Sequence, residues 1–83
     1  NTNEISYYRV QIAASNKLLE LKPYNFNGLK AVDVVKEGKI YKYLFGKHKT
    51  IEGANKSLKT ARANGFNSSF VVRFQNNEII KLN

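Results

Sequence analysis

The clearest helical spacing in this 83-residue chain runs through Ile51, Ala54, Leu58 and Ala61, with Lys56, Lys59 and Arg62 elsewhere on the wheel. Thr50 stands where an N-cap accepts the first free N–H, Glu52 sits in the first turn, and Gly65 suits the left-handed residue after the last turn. Gly53 is a local conflict inside that helix, because glycine gives up helix propensity there. Most of the remaining periodic sequence alternates, so one well-formed helix must pack on a sheet.

Tyr7 to Ala14 has the two-residue period of a strand, with Val10 and Ile12 directed to the core and Arg9 and Gln11 directed away. Val32–Val35 and Ile40–Phe45 flank Lys36-Glu37-Gly38-Lys39, which reads as a hairpin turned at Gly38. Phe70 to Gln75 forms a last strand, and Asn76-Asn77 is a tight-turn signal from which Ile79–Leu82 can pair back. Between the first two strands, Lys17–Leu21 has room for a helical turn or two before Pro23 blocks continuation. Tyr24 to Gly28 then reads as an irregular loop with buried aromatic anchors. With a helical element in that connection the order becomes βαββαβ. The expected class is therefore α+β, a ferredoxin-like antiparallel sheet with helices on one face and a short or irregular first helix.

Eighty-three residues support one domain with a modest core. Residues 1–6 read as a frayed linker and 7–83 as the domain, expected to be a monomeric piece of a longer protein. No run approaches the length of a membrane span. The chain has no Cys, which removes thiol chemistry, and its single His48 stands in a Lys-rich loop without a neighbouring acid. The six acidic residues are dispersed. Neither catalysis nor a metal or cofactor site is expected. A net charge of +8 points to an anionic partner.

The face opposite the helix is the candidate binding surface. Arg9 and Gln11, Lys42 and Leu44, and Arg73 and Gln75 are expected to share it. Gln offers donors and an acceptor to sugar hydroxyl and acetamido groups, while Arg and Lys suit a carboxylate. The competing account is the ordinary wet side of a half-buried sheet. Tyr41, Tyr43 and Phe45 are assigned to the core, although a parity change would turn them into a stacking surface.

Tyr8-Arg9-Val10-Gln11-Ile12-Ala13 resembles the opening strand of SPOR domains, the sporulation-related peptidoglycan-binding repeat. Ile40 to Gly46 is similar to that family's third strand. Ala54–Leu58, Ala63–Phe66 and Ser69–Val72 resemble its second helix and final strand. The likeness spans residues 7 to 75, and its subtype resembles the domains that end cell-wall amidases of Bacteroidetes-type bacteria. It implies a non-catalytic module in the periplasm or cell envelope. The expected ligand is denuded peptidoglycan, glycan strands without stem peptides, and the module would direct an attached wall protein to sites of remodelling or division.

Gln11 matches the family's first-strand Gln and Lys42 its third-strand Arg, which loses the bidentate fork. The family's Ser three residues after that Gln is Ala14 here, and the hydroxyl follows at Ser15. Nucleic acid is not the expected partner; a nucleic-acid module using the same basic face is the alternative.

Overall fold

The computed structural model describes residues 6–82. It is α+β, with one α-helix and a curled five-stranded antiparallel sheet. The strands are β1 (Ser6–Ser15), β2 (Asp33–Glu37), β3 (Ile40–His48), β4 (Phe70–Gln75) and β5 (Glu78–Lys81), in the spatial order β2-β3-β1-β4-β5. The helix α1 (Ile51–Ala63) joins β3 to β4 and packs on β1, β3 and β4. The expected linker lies outside the described residues except for Ser6, which already pairs with Gln75.

Local chemistry accounts for the ends of α1. The Thr50 side chain accepts from the Gly53 N–H at 3.1 Å. At the other end Phe66 N–H reaches the Ala61 carbonyl and Gly65 N–H the Arg62 carbonyl, both at 3.1 Å, with Gly65 at φ +98. That pair of bonds is a Schellman motif. The helix buries Ala54 and Ala61, so it lies close over the sheet, while Ile51 is exposed despite its place in the repeat.

Both hairpins are tighter than average. Glu37 pairs with Ile40, so the β2–β3 turn is Gly38-Lys39 alone, with Gly38 at φ +61. Asn76 and Asn77 carry φ values of 53 and 62, the two left-handed residues of a type I′ turn.

The main core lies between α1 and the sheet. Val10, Ile12, Tyr43 and Ala61 meet Phe26, Leu29 and Val32 there, with Tyr41 and Phe45 packed at its margin. The β1–β2 connection supplies three of these anchors and contains no α-helix. Only Pro23–Asn25 forms a 3₁₀ turn, because Pro23 can begin a turn but cannot continue the preceding one. Its aromatics divide: Phe26 is fully buried with its ring centroid 5.3 Å from that of Tyr43, while Tyr24 is exposed. The buried Tyr43 hydroxyl accepts from Leu19 N–H at 2.7 Å and donates to the Lys17 carbonyl at 3.3 Å. Those two bonds hold the loop where a first helix was expected.

Candidate functional site

Register assigns the candidate residues to faces. Gln11 pairs with Leu44 on β3 and with Phe70 on β4; Arg9 pairs with Val72; Lys42 pairs with Val35 and Ala14. Arg9, Gln11, Lys42 and Leu44 therefore share the side away from α1. Arg73 does not join them. It pairs with Tyr8 and alternates with Val72, so Arg73 and Gln75 lie on the helix-bearing side, where Arg73 donates to the Gln75 carboxamide at 2.7 Å. Ser15 pairs with Tyr41, at the core margin, and its hydroxyl accepts from Lys17 N–H at 3.0 Å. The expectation that Arg73 and Gln75 share that surface is corrected at both positions. Phe70, Val72 and Phe74 occupy the parity expected for Arg73 and Gln75, because the curled sheet buries Val72 on the side away from α1 as well.

The side away from α1 is not an open wet plane. Leu44 and Val72 are fully buried, and Arg9 is 6% exposed. Arg9 reaches across β3, donating through Nε to the Gly46 carbonyl and ion-pairing through Nη1 with Asp33 at 2.8 Å. Lys42 pairs with Glu37 at 2.6 Å. The Lys42 hydrogen bond is the main reason the Glu37 carboxyl titrates below its ordinary value, with the Lys42 charge and the Ile79 N–H adding to it against desolvation. Arg9 and Leu44 are thus buried in the fold, while the Lys42 ammonium is engaged by Glu37 and its side chain stays partly exposed.

Gln11 is different. It is half-buried and lines a groove of about 210 Å³ with Ile12, Ala13, Ala14, Ser68 and Phe70. Two irregularities make this groove. Ile12 is a β-bulge, since Gln11 pairs with Leu44 and Ala13 with Tyr43. Pairing to β4 ends at Gln11 and Phe70 while β1 continues to Ser15, so Ile12, Ala13 and Ala14 have β3 on one side and the groove on the other. Phe70 remains 37% exposed, with the Lys81 ammonium 5.9 Å from its ring centroid. Neither residue stood out in the sequence. The signal available was the parity of Phe70 with Gln11, legible only once the β1–β4 register is known.

His48 was expected in a solvated loop. It is instead the last residue of β3, half-buried, with Nε2 2.6 Å from the Ser57 hydroxyl of α1. Gly46 and Gly53 make room for this contact: a Cβ on Gly53 would stand 2.9 Å from His48 Nδ1, and one on Gly46 2.7 Å from Ser57 Oγ. Among the described residues no carboxylate bonds Nδ1, so the pair lacks the third member that orients a catalytic histidine. The described residues contain no cluster of three or more potential metal ligands, and no helix long and apolar enough to cross a membrane. Comparison of the chain with protein-family models, curated proteins and solved structures finds no match in any of the three.

Proposed function

We propose that this chain is a non-catalytic glycan-binding module of the SPOR type that takes peptidoglycan strands freed of their stem peptides. The observation that carries the reading is Gln11 set beside the exposed ring of Phe70 at the mouth of a mainly apolar groove. An aromatic face suits the C–H side of a pyranose, and a primary amide suits its hydroxyl and acetamido groups. The order β2-β3-β1-β4 agrees with a ferredoxin-like sheet whose first helix has shrunk to a 3₁₀ turn and whose last strand has gained the partner β5.

Removal of a stem peptide exposes a lactyl carboxylate on each muramic residue and clears a bulky substituent. A chain of net charge +8 attracts the first change, and a narrow groove rewards the second. In this reading the module sits in the cell envelope and carries an attached wall protein, such as an amidase, to remodelled wall. The nucleic-acid alternative is weaker here, because Arg9 and Lys42 already hold Asp33 and Glu37.

Co-sedimentation with amidase-treated and intact sacculi tests the proposal. The chain is expected to pellet with treated sacculi only, and Gln11→Ala to lower affinity about tenfold, the scale of one lost polar anchor. Equal binding to both sacculi sinks the denuded-glycan reading.

A further inference from the structure

The cations expected to recognise a carboxylate are occupied. Arg9 is buried against Asp33, and Lys42 is held by Glu37. Lys81 is placed differently. It pairs with Val72 on β4 and so shares a face with Phe70 and Gln11. It is exposed, and among the described residues it has no carboxylate partner; its contact is the Phe70 ring at 5.9 Å. An exposed cation–π contact holds an ammonium only weakly. A carboxylate can recruit the ammonium at little cost. Amide, aromatic ring and free ammonium thus succeed one another across β1, β4 and β5.

We infer that Phe70 and Lys81 form a subsite for a pyranose bearing a carboxylate, with Lys81 as the residue that distinguishes the acid from a neutral sugar. The ring lies on Phe70, its carboxylate meets Lys81 Nζ, and Gln11 takes a neighbouring polar substituent. This rests on the glycan reading above but adds to it, since β5 lies beyond residues 7–75, which carry the SPOR resemblance. The position that discriminates is thereby moved from β3 to a strand outside that resemblance.

The test is an NMR titration of the chain with denuded-glycan tetrasaccharide and with the same tetrasaccharide after its carboxylates are reduced to alcohols. The native chain is expected to favour the acid by about tenfold, in line with one charge-assisted hydrogen bond. Lys81→Gln should lower affinity for the acid about tenfold and so abolish that preference. Lys59→Gln, an exposed helix substitution of the same charge, should keep it. The amide spectrum of each variant reports whether it is folded. A preference retained in Lys81→Gln, or lost equally in Lys59→Gln, overturns the inference while the glycan reading stands. If neither sugar moves the Gln11 or Phe70 signals, both fall together.

Discussion

At the scale of single residues, Arg9 and Gln11 separate two roles that alternate on one strand. Both belong to the side of β1 away from the helix, yet Arg9 is 6% exposed and bonded to Gly46 and Asp33 while Gln11 borders open space. Arg9→Leu removes a hydrogen bond and an ion pair from a dry position. It is expected to cost about 1–3 kcal/mol, read as a lower urea midpoint at unchanged slope. Asp33→Asn should cost under about 1 kcal/mol, because that carboxylate is 62% exposed and stays hydrated. Gln11→Ala should leave the midpoint unmoved and affect binding alone.

Gly53 offers a second test at this scale. Alanine is worth about 1 kcal/mol more than glycine inside a helix, but its Cβ here meets His48. Gly53→Ala should therefore destabilise the native chain and stabilise a His48→Ala background. The same sign in both backgrounds would show that His48 does not explain the glycine.

At the scale of elements, the β1–β2 connection shows how a chain can replace a helix by anchors. Phe26 is fully buried against Tyr43, and the Tyr43 hydroxyl ties back to Lys17 and Leu19. Phe26→Ala should cost about 3–5 kcal/mol, enough to unfold much of a marginally stable small domain, as circular dichroism at 37 °C would register. The edge of the sheet shows a different device. Glu37 on the edge strand β2 accepts from Lys42 on β3, and that bond is the main reason its carboxyl titrates below the ordinary value. Its depressed carboxyl contributes stability that is complete above its unfolded pKa and is lost as pH falls through its lower folded value. Glu37→Gln should flatten that part of the acid stability curve.

At the scale of the whole molecule, fourteen Lys and Arg face six Asp and Glu, and among the described residues two of the cations are held in ion pairs. Attraction to a polyanion is then general, while under the proposed glycan reading recognition depends on the few groups at the groove. Affinity for denuded glycan should weaken modestly with added salt, since one carboxylate is read locally. A nucleic-acid partner would instead show a steep slope set by several phosphate contacts. Affinity measured across a salt series separates them: a slope of many charges would remove the glycan proposal.

Much of the architecture was legible in residue order. Thr50, Ala54, Ala61 and Gly65 specify a capped helix, and Gly38 and Asn76-Asn77 specify two tight turns, because capping and positive φ are local requirements met by particular residue types. The irregular first connection was legible in Pro23. The sharing of faces was not. Alternation within a strand says which residues go together, but not which set meets the helix when a curled sheet buries residues such as Leu44 and Val72 on its second side as well. Only pairing register sent Arg73 and Gln75 to the helix-bearing side and set Phe70 beside Gln11. Only reach across β3 committed Arg9 to Asp33. Local residue chemistry thus determined the elements and their caps. Contacts between residues distant in sequence decided which charges stay free to meet a ligand.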